Sequence, residues 1–398
     1  VHKSWKAALM NADFRGATKP FIFPNRLPSP ASPRAGRRAW LFLALALIVF
    51  GLVPVLETRA QTQEAARTIT DPPLPQTLTL CGEKVPLEDR HVWEMLDREL
   101  TIAIWDRAQV LMWLKRAGRY FPYIEERLAQ AGLPSDLKYL AVAESSLITN
   151  ISSNRSALGM WQFMADTAQS QGLQANSDVD ERLNYRQATR AALKHLGQLH
   201  DEFGSWALAM AAYNCGRSCV KEEIEEQQVQ DYYRLNLPNE TERFVFRIAA
   251  IKVILENPEK YGYHLPPERI YRPETSDVLA VELPAPVHVT ELAKALGTTY
   301  KALKELNPEF QGRYLPTGKF NLIVPAGQGP AAEVFFEEAK KTFARESKRV
   351  EGRIYVVQRG DTLSGVSRKT GVPVKTLRQL NRISGSKILV GQRLRLSR

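Results

Sequence analysis

Leu133–Met164, LPSDLKYLAVAESSLITNISSNRSALGMWQFM, decides how the rest of the chain is read. Its first half has the spacing of an amphipathic helix. Pro134 is tolerated in a first turn, and Ser135 and Asp136 suit a helix start. Leu137, Leu140, Ala141, Glu144 and Leu147 then recur at helical intervals, which puts Glu144 on the apolar face. On spacing alone the ordinary reading is a solvated glutamate near a helix end. The sharper reading is a carboxyl held at a cavity wall with a raised pKa, as a general acid requires. A polar stretch follows, then Ala157-Leu158-Gly159-Met160-Trp161-Gln162-Phe163. The small residue and the glycine allow close backbone approach, and an aromatic with an amide suits a sugar site.

Further motifs sharpen the choice. Glu144-Ser145, Ser153, Ala157, Gly159 and Trp161-Gln162-Phe163-Met164 are followed by Ala212-Tyr213-Asn214 and Gly216. This ordered set resembles the soluble-lytic-transglycosylase family, in particular its membrane-bound D type with LysM repeats. The resemblance runs from about Leu87 to the C-terminus, and several ordered motifs carry far more weight than any one alone.

Charge is segregated. Residues 1–60 hold nine Lys/Arg against two Asp/Glu, and residues 353–398 hold eleven against one. The middle of the chain is therefore acidic although the whole carries +11. The basic ends suit acidic wall polymers or anionic lipid; no nucleic-acid partner is expected.

Arg34, Arg37 and Arg38 precede an apolar run from Ala39 to about Leu56. The run lies between a signal-peptide core and a spanning helix in length, and basic residues flank one end only. Residues 1–60 are expected to be a signal peptide or membrane anchor, with a candidate cleavage site at Thr58-Arg59-Ala60 and Met10 as a candidate start. The remainder is expected in the periplasm or cell envelope. Residues 61–86, with Asp71-Pro72-Pro73-Leu74-Pro75, read as an extended linker.

Residues 87–270 read as a helical domain. A helix is predicted over Leu87–Arg116, with Trp93, Leu96, Leu100 and Ile104 on one face and Trp105, Trp113 and Leu114 adding core bulk. Another begins at Tyr120–Gln130. Ala165–Gln198 reads helix, loop, helix, and Ser205–Tyr213 is an alanine-rich helix stopped by Gly216. The family usually has Tyr where this chain has Phe244. Of Cys81, Cys215 and Cys219, two are expected to pair in an exported protein; sequence leaves the pair open. No metal-ligand spacing or phosphate loop is present in the sequence.

The C-terminal third holds a degenerate repeat. Gly297, Leu303 and Leu306-Asn307 recur as Gly371, Leu377 and Leu380-Asn381, and Leu315 as Leu389, at a constant shift of 74. Each unit reads strand, two short helices, strand, and resembles a LysM module. Residues 353–398 are the clearer match and keep Gly360-Asp361-Thr362-Leu363, which in LysM modules borders the groove for N-acetyl sugars. Residues 278–326 lack that turn and suggest a spacer. Residues 327–352 read as a linking helix.

The expected fold is mainly α: a lysozyme-like catalytic domain followed by two small α+β LysM-like modules. The resemblance implies cleavage of the N-acetylmuramic acid–β-1,4–N-acetylglucosamine bond of peptidoglycan, without metal or cofactor. It makes Glu144 the sole acid and base and gives a 1,6-anhydro product. It further implies substrate-site roles for Ser145, Ser153, Met160, Gln162, Tyr213 and Asn214. Ser145 would orient Glu144, Gln162 and Asn214 would bind N-acetyl groups, and Tyr213 would lie over the cleavage point. A hydrolytic muramidase on the same fold and a non-catalytic wall-binding protein are the alternatives.

Overall fold

Asp106 divides what the sequence predicts as one helix. The computed structural model describes residues 72–349 and 354–396. In it α1 spans Arg90–Trp105 and α2 spans Arg107–Ala131, with Asp106 between them. Its carboxylate accepts from the Gln109 amide, so the residue that ends one helix caps the next. Pro122 sits inside α2 without ending it, against the boundary expected before Tyr120.

The tryptophans of α1 depart from the sequence reading. Its buried side is Val92, Leu96, Leu100, Ala103 and Ile104, so of the expected face Leu96, Leu100 and Ile104 are in the core, whereas Trp93 is exposed, as is Trp105. Trp113 is in the core as expected. Glu99 sits on the buried side and pairs with Arg243 at 2.6 Å, so a charge holds a position that an apolar count assigns to the core.

The linker expected over 61–86 ends early. Residues β1 (Leu78–Leu80) and β2 (Glu83–Val85) form an antiparallel hairpin turned at Cys81 and Gly82. Both turn residues have positive φ, the two-residue turn whose twist suits a hairpin. Asp136 accepts the Cys81 amide at 2.8 Å and ties the turn to the domain. Leu78, Leu80 and Val85 join the main core.

That core is built around α8 (Asn239–Glu256), which packs on α1, on α3 (Lys138–Ser145) and on α6 (Trp206–Cys215). Phe244 is fully buried there. The short α4 (Ala165–Ser170) leads to α5 (Tyr185–Phe203), and α7 (Arg217–Gln227) follows α6. Ala188, Ala191 and Ala192 on α5 and Ala207–Ala212 on α6 are buried, and their small side chains let the two helices approach closely.

Two α+β units follow. In the first, β3 (Ser276–Leu283) pairs antiparallel with β6 (Gly318–Pro325), and β4 (Val287–His288) with β5 (Tyr314–Leu315). The helices α9 (Val289–Ala295) and α10 (Tyr300–Leu306) lie between the strands in sequence. The expected linking helix is α11 (Gly329–Arg349); its Ala332 and Phe336 complete this unit's core. In the second unit β7 (Ile354–Val356) pairs with β8 (Arg393–Arg395) around α12 (Leu363–Thr370) and α13 (Val374–Asn381). The mainly α class with two small α+β units is therefore as read from the sequence.

The repeat has a physical basis. Asn307 donates to the carbonyls of Leu303 and Ile323 and accepts from the Ile323 amide at 2.7 Å. Asn381 donates to Leu377 and Arg395 and accepts from the Arg395 amide at 2.7 Å. Each asparagine thus straps its second helix to its closing strand. The pairing of Leu315 with Leu389 fails: the first is buried and the second exposed. The apolar run at Ala39–Leu56 lies outside the described residues, among which no helix is long and apolar enough to cross a membrane.

Asn307→Ala removes three hydrogen bonds from a buried site and strands their partners. It should destabilise the first unit by about 2–4 kcal/mol. Urea unfolding followed by hydrogen exchange in β6 measures this.

Candidate active site

Glu144 stands at the penultimate position of α3. Helix α3 has only eight residues and is preceded by a 3-10 turn over Ser135–Leu137, so the helix starts later than the sequence suggests. Asp136 is not spent on a cap; it accepts from Cys81 and pairs with Lys252 at 3.0 Å. After Ser145 the chain turns sharply, with Ser146 and Leu147 both at positive φ. Such backbone is costly for residues with a side chain and persists only where surroundings fix it. Gln109 donates to the Ser146 hydroxyl, Arg116 donates to its carbonyl at 3.0 Å, and Leu147 is buried.

The facing wall is the loop Ser152–Met164. Leu158 bridges Ser152 and Phe163 in a small antiparallel arrangement. Ser153 accepts from the amides of Arg155 and Ala157, so its hydroxyl shapes the loop. Gly159 has φ +82°, and a Cβ there would lie 1.9 Å from the Arg182 carbonyl oxygen. Only glycine fits that close approach. Trp161 is fully buried and donates to Thr189 at 2.9 Å. Gln162, at φ +48°, donates from its amide nitrogen to the carbonyls of Gly159 and Ile151.

The end of α6 closes the site. Tyr213 donates its hydroxyl to the Trp161 carbonyl at 2.8 Å and joins the two motifs. Asn214 accepts from the Thr241 hydroxyl at 2.9 Å, which points its amide nitrogen away from that bond. Cys215, the last residue of α6, is bonded to Cys219 in α7, which resolves the pairing; Cys81 is a buried free thiol.

Glu144, Ser153, Gln162, Tyr213 and Asn214 line one cleft of about 950 Å³. Two other residues named from the sequence do not line it. Ser145 is buried and its hydroxyl donates to the Ala141 carbonyl, within its own helix. Met160 is wholly inside the core. Helical phase explains Ser145: adjacent residues point about 100° apart, so it cannot share the face of Glu144.

The cleft also holds residues that the sequence reading missed: Met164, Thr167, Gln171, His195, Gln198 and Arg217. His195 had a signal. It lies four residues from both Ala191 and Leu199 on the buried side of α5, the same polar-on-apolar phase that marks Glu144. Burial lowers its pKa, as does Arg217, so its ring is held towards the neutral form. The others come together only in the folded chain.

Burial pushes the Glu144 carboxyl up to about 8; Arg247 opposes this and Glu240 adds to it. Arg247 is itself 2.9 Å from Glu240 and 3.6 Å from Glu99, so its charge is shared among three carboxylates. Desolvation therefore wins over attraction. Burial likewise drives Tyr213 well above the ordinary phenol range, with Glu144 adding to the shift. Its hydroxyl stays protonated and able to donate.

In the second C-terminal unit, Asp361 accepts from Lys369, Tyr355 and the Gln358 amide, which hold its pKa down at about 2. Thr362 caps α12, Leu363 is in the unit's core, and Gly360 takes φ +88°. These four residues build the turn, and Leu363 offers no surface to a ligand. No group of side chains among the described residues could hold a metal ion.

Comparison with known proteins fits this geometry. Residues 122–236 match the Transglycosylase SLT domain and residues 355–397 the LysM domain. Membrane-bound lytic murein transglycosylase D of Escherichia coli, in each of two strains, is 30% identical over 290 residues, 70% of this chain. The chain spans 63% of the length of those curated relatives. An inactive mutant of the lytic transglycosylase Slt from Pseudomonas aeruginosa aligns with 39% of this chain and 27% of its own, at 18% identity and a TM-score of 0.29, too faint a likeness to carry an argument. The chain thus carries a transglycosylase SLT domain followed by a LysM domain.

A glutamate with a raised pKa favours folding at low pH and opposes it increasingly as pH climbs from the unfolded value near 4.5 through about 8. Glu144→Gln should therefore leave the melting temperature unchanged near pH 4 and raise it progressively up to pH 8. Scanning calorimetry across that range checks the sign.

Proposed function

We propose that this chain, with its transglycosylase SLT domain and its LysM domain, is a lytic transglycosylase acting on peptidoglycan in the cell envelope. The observation that carries the reading is that, among the described residues, Glu144 is the sole carboxylate lining the cleft. Hydrolysis by the usual route requires two carboxyl groups flanking the bond, one to protonate the leaving oxygen and one to activate water or form a covalent intermediate. A single carboxyl suits a reaction whose nucleophile is supplied by the substrate.

Protonated Glu144 gives its proton to the glycosidic oxygen as the bond from C1 of N-acetylmuramic acid breaks. The resulting carboxylate takes the proton of the C6 hydroxyl of the same sugar, whose oxygen bonds to C1. The N-acetylglucosamine end leaves with a new hydroxyl, the muramic end becomes a 1,6-anhydro sugar, and Glu144 returns to its starting state. A pKa near 8 keeps the acid form dominant at neutral pH and leaves its conjugate base strong enough for the second transfer.

The substrate contacts follow from which hydrogen-bonding atoms are engaged. Gln162 uses its amide nitrogen on the backbone, so its oxygen is the atom to accept an N-acetyl N–H. Asn214 uses its oxygen, so its nitrogen is the atom to donate to an N-acetyl carbonyl. Tyr213 lies between them, against Phe163 and His195. Phe244 contributes no hydroxyl.

The LysM domain serves as wall anchor in this reading. Its excess of Lys and Arg adds a screened attraction to acidic polymers. The basic and then apolar order of Arg34–Leu56 supports export or anchoring at the inner membrane.

Mass spectrometry of muropeptides released from purified sacculi should find anhydro ends. Glu144→Gln should lower their release by roughly 100- to 10,000-fold, the range for loss of one acid–base group. Reducing ends in place of anhydro ends would indicate the hydrolytic alternative. Removal of residues 353–398 should weaken pelleting with sacculi, most clearly at low salt, and leave turnover of small soluble glycan fragments nearly unchanged.

A further inference from the structure

The first C-terminal unit does not hang free of the catalytic domain. Val179, in the loop before α5, is buried in that unit's core beside Phe310 and Leu322. Two segments of the chain bridge there in antiparallel fashion, Val179 against Phe310. The Asp180 amide donates to the Glu309 carbonyl at 2.8 Å, and the Gln311 amide donates to the Asp178 carbonyl at 3.0 Å. The buried Glu309 carboxylate accepts from the Asn184 side chain at 2.8 Å. Asn184 in turn accepts from the Arg186 and Gln187 amides and caps α5.

The same loop reaches the cleft. Asp180 binds Arg182 through both carboxylate oxygens, at 2.9 and 2.8 Å. Arg182 then donates to the carbonyls of Ser156 and Phe163, both at 3.1 Å. Those two carbonyls lie on either side of Gly159 and Gln162, and the Arg182 carbonyl backs directly onto Gly159. A continuous set of bonded groups therefore runs from the small unit, through Asp180 and Arg182, to the wall of the cleft.

We propose that this first unit is a brace for the catalytic cleft, with Glu309, Asp180 and Arg182 as positioning residues that fix the Ser156–Phe163 loop and, through it, Gln162. This assigns the unit a part in substrate binding by the neighbouring domain and explains how a module lacking the Gly-Asp-Thr-Leu turn is still useful. The inference rests on the proposed activity for its kinetic consequences, and on geometry alone for its effect on loop mobility.

The test uses the full chain with Arg182→Gln, Arg182→Lys and Val179→Ala, none of which alters a group that touches substrate. Loss of the two carbonyl bonds should free Gln162, which binds rather than reacts. Arg182→Gln should raise KM for soluble glycan fragments roughly tenfold and change kcat less than about twofold. Arg182→Lys, which keeps the charge beside Asp180, should recover part of the loss. Val179→Ala, at the seam, should raise KM in the same direction and leave sacculus pelleting unchanged. Hydrogen exchange gives a readout independent of turnover. The amides of Leu158 and Gln162 are bonded within the loop and that of Gly159 to the Ile151 carbonyl, and all three should exchange faster in Val179→Ala. Unchanged KM and unchanged loop exchange in folded Val179→Ala would overturn the proposal, as would a lowered melting temperature with no change in either. Should Arg182→Gln fail to fold, Val179→Ala decides. A wild-type chain without turnover would defeat the proposed activity, and loop exchange would still decide the brace.

Discussion

The structure is organised by the cost of burying one carboxyl group. Glu144 is held where water is scarce, and Arg247, the cation near enough to compensate, is shared with Glu99 and Glu240. Arg247 pulls the Glu144 pKa down, and burial outweighs it. Glu99 and Glu240 share that arginine, and the Glu144 carboxyl is left raised to about 8. Glu99 comes from α1, Glu240 and Arg247 from α8, and Glu144 from α3. The packing of those three helices is therefore also the tuning of the site.

The cleft is made from the end of α3, the Ser152–Met164 loop with α4, α5 and the end of α6, and its shape depends on how they are joined. Tyr213 bonds the end of α6 to the Trp161 carbonyl. Arg182 bonds the loop before α5 to the carbonyls on either side of Gly159. Both fasteners bind backbone, so they set the path of the chain while leaving side chains free to meet a ligand. Backbone at positive φ recurs where the cleft is formed, at Ser146, Leu147, Gly159 and Gln162. At Ser146, Leu147 and Gln162 these conformations are costly in isolation; Gln109 and Arg116 hold the first turn, and Arg182 braces the second.

Much of this was legible in the sequence, for reasons that differ by residue. Glu144 stood out because it interrupts an apolar phase, and the repeat of Asn307 at Asn381 stood out because both perform the same strapping task. Trp93 and Trp105 misled because aromatic bulk suggests a core, whereas the packed face of α1 is Val92, Leu96, Leu100, Ala103 and Ile104 with the paired Glu99 among them. Ser145 misled because adjacency in a motif is not adjacency on a helix. The hairpin at Leu78–Val85 was hidden by a proline-rich approach and by Cys81 in a turn position where asparagine or glycine is usual. Arg182, Glu309 and Arg247 act through partners distant in sequence, and no local pattern reports that.

The central claim is that Glu144 is protonated at neutral pH because it is desolvated. Titration of the Glu144 side-chain carboxyl by carbon NMR in the intact chain measures this directly. The account predicts a midpoint near 8, far above the ordinary carboxylate value of 4.5. A midpoint in the ordinary carboxylate range, near 4.5, would contradict it.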